Sequence, residues 1–221
     1  GFAVFSVSLS NLSTTPVSFN LALSHGSALG GGTDYGSGGA GNLQVSTDGG
    51  LSWADAAGAT IPALGTGILV RTPITDDGIN EPVETFTLTA TRTAGITSNA
   101  SAIGTGTITD NDPAPSITVN DVTVNEAAGT MTFTVGLSTA SGLPVSVNYA
   151  TGDGSAVAGS DYTGTVGTLN FLAGEVSKTV VVTILNDAVF ENSEAFNLDL
   201  SGAVNGVIGD GQGVGTILDD G

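Results

Sequence analysis

Thr179-Val-Val-Val-Thr-Ile-Leu-Asn-Asp-Ala-Val-Phe-Glu-Asn-Ser-Glu-Ala-Phe-Asn-Leu-Asp-Leu200 holds two alternating apolar runs on either side of an acidic stretch. Val180, Val182 and Ile184 fall on one face, with Thr179 and Thr183 on the other, and Phe196, Leu198 and Leu200 resume the period of two. The reading is strand, acidic loop, strand. An earlier stretch repeats it: Ile74-Thr-Asp-Asp-Gly-Ile-Asn-Glu-Pro-Val-Glu84 leads into Phe86 and Leu88. Each copy closes on a matching pattern, Gly106-Thr-Ile-Thr-Asp-Asn-Asp112 and Gly215-Thr-Ile-Leu-Asp-Asp220. A module has been duplicated with its carboxylates at fixed spacing, which points to metal binding at the ends of two tandem domains.

The duplication extends outward. Phe5-Ser-Val-Ser-Leu-Ser aligns with Phe133-Thr-Val-Gly-Leu-Ser, and Pro16-Val-Ser-Phe-Asn with Pro144-Val-Ser-Val-Asn, both at an offset of 128. Asp34-Tyr35 matches Asp161-Tyr162 at 127, whereas Glu81 and Glu84 match Glu191 and Glu194 at 110. The first copy therefore carries 127 − 110 = 17 extra residues between those points. Asp112-Pro-Ala-Pro-Ser116 marks the boundary, because two prolines end one module and stiffen the link. The expected domains are 1–113 and 114–221. Val17, Phe19, Leu21 and Leu23 share one strand face, and Val145, Val147 and Tyr149 its counterpart. Short alternating strands between Gly, Asn and Asp turns, with 34 glycines disfavouring helix, imply an all-β chain of antiparallel sandwiches.

Three Lys and Arg stand against 21 Asp and Glu, a formal net charge of −18. That field repels nucleic acid and anionic membranes. No apolar run reaches membrane-spanning length and no signal peptide is visible. The chain opens at Gly1, so it is expected to be part of something longer, and its lack of cysteine excludes a disulfide framework without excluding secretion. The carboxylates cluster in loops with few basic partners. Like charges within ~5 Å raise one another's pKa and oppose folding unless a cation lies between them. With no cysteine and only His25 among histidines, a usual zinc or copper site cannot be built. Calcium takes 6–8 oxygen ligands and suits the set, whereas magnesium prefers more water; ligand type alone leaves manganese open.

Five separated motifs then carry a resemblance. Asn125-Glu126-Ala-Ala-Gly-Thr, Asp153-Gly-Ser-Ala-Val-Ala-Gly-Ser-Asp161-Tyr162, Gly167-Thr-Leu-Asn-Phe171 with Gly174-Glu175, Asn186-Asp187…Glu191…Glu194, and Gly215-Thr-Ile-Leu-Asp219-Asp220 occur in that order. The second half resembles a Calx-beta domain over its length. The first half resembles the divergent Calx-beta-like repeat of large bacterial repeats-in-toxin surface adhesins, with an inserted hairpin at about 38–60. Asn42-Leu-Gln-Val-Ser-Thr-Asp-Gly-Gly-Leu-Ser-Trp53 reads as that hairpin, with a turn at Asp48-Gly49. The resemblance implies tandem seven-stranded immunoglobulin-like sandwiches that bind Ca2+ through loops at one end. It implies ligands at Glu126, Asp161, Asp187, Glu191, Asp219 and Asp220 in the second module, and at Asp34, Asp76, Asp77, Glu81, Asp110 and Asp112 in the first. Two departures stand out. Asn186 occupies the position of Asp76, and the counterpart of Glu126 falls before Gly1, so the first copy is expected to lack its opening strand and its first acidic ligand.

Other features have plainer explanations. Glu84 and Glu194 begin strands and read as peripheral charges, and Asp153-Gly154 reads as a turn. His25 sits in a polar loop as a surface residue. No nucleophile is paired with a base, and neither Gly-rich stretch has the context of a phosphate cradle, so no enzymatic activity is expected. Trp53 reads as packing for the hairpin ahead of a ligand platform. The leading expectation is a calcium-stiffened extender module of a bacterial cell-surface adhesin, secreted, with neighbouring repeats of the same long chain as partners. The alternative is a module that binds an extracellular glycan or protein through the 38–60 insertion or an exposed sheet edge. A calcium sensor would need a bistable element and a transmitting partner, neither of which is visible.

Overall fold

The alternation read from the sequence is the alternation of burial. In Thr130–Leu137, Met131, Phe133, Val135 and Leu137 are buried while Thr130, Thr132 and Thr134 face solvent. Such strands have one wet face and one dry face, and pairs of sheets close over the dry faces. The computed structural model describes residues 1–37, 42–188 and 190–219. They divide into two units, Gly1–Gly78 with Val83–Asp110, and Ile79–Pro82 with Asn111–Gly221. Apart from the short 3-10 helix Glu126–Ala128, the named elements among the described residues are all β-strands.

The first unit contains β1 (Phe2–Ser8), β2 (Val17–His25), β3 (Gln44–Ser46), β4 (Ala54–Asp55), β5 (Gly58–Ile61), β6 (Gly67–Pro73), β7 (Glu84–Ala94) and β8 (Ser101–Ile108). One sheet runs β1-β6-β3-β4 and the other β5-β2-β7-β8. Leu21, Ile61, Ile68, Val70 and Leu88 fill the space between them. The second unit contains β9 (Ser116–Val119), β10 (Val122–Asn125), β11 (Thr130–Leu137), β12 (Val145–Asp153), β13 (Val166–Phe171), β14 (Ser177–Thr183), β15 (Glu194–Val204), β16 (Val207–Asp210) and β17 (Gln212–Leu218). Its sheets run β14-β11-β9-β16 and β10-β17-β15-β12-β13.

Two runs in the second unit change sheets. The opening run breaks at Asn120-Asp121 into β9 and β10, and the closing run breaks at Gly211 into β16 and β17. Counting each as one strand gives the expected seven. The pairings are antiparallel except at these two runs, where β10 lies parallel to β17 and β16 parallel to β9.

The expected hairpin is present from Gln44, with Gln44 opposite Asp55 and Val45 opposite Ala54; residues 38–41, where the insertion was expected to begin, lie outside the described residues. Asp48 organises its turn by accepting from the Ser52 backbone N–H at 3.0 Å and from the Ser46 hydroxyl at 2.7 Å. Gly49 and Gly50 supply the positive φ values of 78° and 97° that the turn needs. Through β3 the insertion extends the first sheet beyond β6. Trp53 is half-buried: its indole N–H donates to the Gly50 carbonyl at 3.1 Å, and the Arg71 guanidinium lies 4.2 Å from its ring.

Candidate metal centre

At one end of the second unit a buried tyrosine fixes the neighbouring carboxylate. Tyr162 stacks on Phe196 with ring centroids 4.2 Å apart, and Phe133 meets Phe196 edge-on at 5.9 Å. The Tyr162 hydroxyl donates to Asp153 Oδ1 at 2.6 Å, and the same oxygen accepts the Ala158 N–H at 2.9 Å. Asp153, read as a turn residue, thus ties the 153–162 loop down from both sides. Asp161, one residue before the anchored ring, accepts the Val157 N–H through Oδ2, while its own carbonyl accepts from Leu185.

Around that loop the chain assembles its acids. Carboxylate oxygens of Asp161, Glu191 and Glu194 lie within 4.8 Å of one another. Glu126, in the 3-10 turn Glu126–Ala128, is buried and accepts the Asp187 N–H at 3.0 Å. Asp219 accepts the Glu191 N–H at 2.9 Å. Burial, and then the charges of Asp161, Asp187, Glu126 and Asp219, push the Glu191 carboxyl up from its ordinary range. Glu194 is pushed up first by burial and then by Asp161, with which it shares a hydrogen bond. Lys178 is the only Lys or Arg between residues 114 and 221, and it pairs with Glu175 at 2.8 Å. Because Glu191 and Glu194 titrate above their unfolded values, the metal-free fold loses stability as pH rises beyond the ordinary carboxylate value of 4.5. The donor set is all oxygen, crowded and short of positive charge, which fits a hard divalent cation such as calcium.

Of the six expected ligands in the second module, Asp161 and Glu191 share the cluster, and Glu126, Asp187 and Asp219 lie near enough for their charges to raise Glu191. The sixth, Asp220, lies outside the described residues. Glu194 joins them, although its place at a strand start suggested a peripheral charge. The signal that could have found it was its repetition with Glu84 at the same 110-residue offset as Glu81 and Glu191.

The first unit repeats the scaffold. Tyr35 stacks on Phe86 at 4.1 Å and Phe5 meets Phe86 edge-on at 5.7 Å. Asp34 accepts the Leu29 N–H through its side chain and the Thr75 N–H through its carbonyl. Carboxylate oxygens of Asp34 and Glu84 lie within 4.8 Å. Asp76 and Asp77 are exposed in the loop after β6, and Asp110 ends the unit. Glu81 and Asp112 belong to the second unit, where the Asn80 side chain donates to the Asp112 carbonyl at 2.9 Å.

A family model described as the Calx-beta domain matches residues 108–220. Sodium/calcium exchanger 2 of Rattus norvegicus is 46% identical over 68 residues, which is 31% of this chain and 7% of that protein. Sodium/calcium exchanger 1 of Felis catus is 39% identical over 98 residues, 42% of this chain and 10% of that protein. The chain thus spans a tenth or less of the length of these relatives. Among solved structures, the apo-form Calx CBD1 domain superposes with a TM-score of 0.45 at 30% identity, covering 48% of this chain and 98% of that one. The CBD12 structure from CALX1.2 gives 0.43 at 17% identity, covering 98% and 93%.

Proposed function

We propose that this chain, which belongs to the Calx-beta domain family, binds calcium at the acidic end of its second unit and uses the ion to hold its loops together. The observation that carries this is the convergence of Asp161, Glu191 and Glu194 within 4.8 Å, with Glu126, Asp187 and Asp219 raising Glu191 further. A divalent cation removes that repulsion and replaces it with attraction, so binding and folding are linked. Magnesium is a poorer fit, since it dehydrates reluctantly and demands near-octahedral geometry. The first unit offers Asp34 and Glu84 on the same aromatic scaffold.

The finer reading is an extracellular extender within a bacterial surface adhesin, its neighbours being further repeats of the same chain. Its support is chemical. Asp110 and Asp112 stand beside the Pro113 and Pro115 link, and the chain has no cysteine to stiffen it otherwise. The ligand-platform alternative has less behind it, because the Trp53 indole already engages Gly50 and Arg71.

Thermal unfolding in chelator and then in saturating calcium, with magnesium as control and scattering on the same samples, tests both levels. A calcium-specific stabilisation of about 2.7 kcal/mol at 100 times Kd is expected, with a narrower spread of particle dimensions. Asp161→Asn and Asp187→Ala should each lose most of it. Equal calcium responses in wild type and both variants would remove the site assignment. A stabilisation without any change in scattering would leave calcium binding and remove the extender.

A further inference from the structure

The insertion gives the first unit a row of side chains that the second unit lacks. Val4 pairs with Arg71 as Thr132 pairs with Val181, at the offsets 132 − 4 = 128 and 181 − 71 = 110. In the second unit that row stops at Val181, because β14 is the end strand of its sheet. In the first unit it holds an arginine, and the insertion lays β3 and β4 alongside, with Gln44 opposite Arg71 and Asp55 opposite Gln44. Their neighbours Val45 and Val70 are buried, so Arg71, Gln44 and Asp55 line up on the solvent face of the sheet.

Arg71 is held from three sides. Its guanidinium carbon lies 4.0 Å from the Phe2 ring centroid and 4.2 Å from that of Trp53, and its Nε–H donates to Gln44 Oε1 at 2.8 Å. Gln44 in turn donates through Nε2 to Asp55 Oδ1 at 2.9 Å. The amide is thus a neutral spacer between a cation and an anion that could otherwise pair directly. A long side chain ordinarily loses rotamer freedom on binding, and here the stack has fixed the planar fork in advance. Of the other two cations, Lys178 pairs with Glu175 and Arg92 donates to the Gly95 carbonyl at 3.2 Å. Among the described residues the terminal nitrogens of Arg71 have no acceptor, and Asp55 Oδ2 has no donor. Arg71 already occupies the indole face. What the row offers a ligand is therefore the outer edge of the guanidinium and, beyond the amide, a carboxylate oxygen.

We propose that this row is a glycan-binding subsite that takes a uronic acid residue, with the sugar carboxylate on Arg71 and ring hydroxyls on Asp55 and Gln44. A guanidinium fork matches a carboxylate through two parallel N–H···O bonds. Asp55 repels anions, so the ligand has to present its charge at the arginine end and neutral donors at the aspartate end. A sugar acid carries both on one ring, whereas a simple carboxylate carries only the first. The row lies on an open sheet face, which suits one residue of a chain laid across the strands. Val181 stands where the guanidinium would be in the second unit, and Gln44, Trp53 and Asp55 come from the insertion, so the subsite belongs to the first unit alone. None of these residues is among the carboxylates assigned to calcium, and the two readings are independent.

Trp53 is the chain's single tryptophan and one wall of the stack, so its fluorescence reports the subsite. A trisaccharide of galacturonic acid, titrated into the full chain in chelator at about 0.1 M salt, is expected to change that fluorescence saturably. Its methyl-esterified form should bind about tenfold more weakly, having lost the charge that the fork pairs with. Arg71→Lys keeps the positive charge but loses the fork, and should also weaken binding about tenfold. Asp55→Ala leaves the stack in place and separates two roles. Weaker binding is expected, because a hydroxyl acceptor has gone; tighter binding, from removal of a nearby negative charge, would overturn the proposal. So would a wild type indifferent to the trisaccharide, or one that responds equally to acetate or to free glutamate. Because the titration is run without calcium, its failure would leave the metal assignment untouched.

Discussion

Tyr162 is closed in by Phe196 on its face and by Asp153 at its hydroxyl. Burial first, and then the hydrogen bond to Asp153, push its phenol up to about 12 from 10.0. The folded state thus holds the phenolic proton more tightly than the unfolded chain does. This contribution to stability is complete below pH 10 and is lost as pH rises through about 12. An alkaline absorbance titration should show the two buried tyrosines, Tyr35 and Tyr162, ionising late, and Asp153→Asn should bring the Tyr162 transition to lower pH. A Tyr162 phenol titrating at the ordinary value of 10.0 would contradict this. The first unit solves the same problem with a different residue. His25 lies 128 residues before Asp153, and its Nδ1 accepts the Gly30 N–H at 2.9 Å with the Tyr35 hydroxyl 3.1 Å away. Reading His25 as a surface residue captured its exposure and missed its bonds. The offset was available in the sequence, but imidazole and carboxylate look unrelated until one asks which acceptor each supplies. The acidic cluster was more legible, because duplication held each carboxylate at constant spacing. Glu194 escaped because the first residue of a strand can face either way, and only the fold decides which.

The closing Gly-Thr-Ile pattern reads differently once β8 and β17 are in place. A Cβ on Gly215 would stand 2.6 Å from Met131 Sδ and 2.8 Å from Phe196 Cζ, and one on Gly106 would stand 2.7 Å from Phe86. A side chain at either glycine would meet an aromatic ring packed against the strand, and the ring is the one that stacks on the tyrosine before it. Gly215→Ala should therefore cost about 1–3 kcal/mol by overpacking, measured by urea unfolding in chelator. A change below about 0.5 kcal/mol would show that the ring moves aside freely. Strand faces were readable from period two: Val180, Val182 and Ile184 are buried as their alternation required, as are Phe196, Leu198 and Leu200. The sheet-switching runs and their parallel partners were not. Ser116–Asn125 shows its own alternation, but nothing local says that Val122 will lie beside Gly215.

Across the whole chain, a formal charge of −18 leaves 21 Asp and Glu against three Lys and Arg, of which Lys178 pairs with Glu175. Self-repulsion on that scale is screened by salt, whose Debye length falls from about 30 Å at 0.01 M to about 10 Å at 0.1 M. The metal-free chain should accordingly gain melting temperature as sodium chloride rises over that range, while calcium affinity falls. Calorimetry in chelator and a calcium titration at two ionic strengths would check this, and a melting temperature indifferent to salt would count against repulsion as the main cost. The parallel contact between β10 and β17 has a mechanical side. Those strands stand near the beginning and the end of the second unit and point the same way, so a pull on its two ends drags them past each other along their length. Their hydrogen bonds then resist as a group and break together, where bonds pulled apart crosswise would open singly like a zip. A chain of these repeats under tension would hold longest where that clasp is closed.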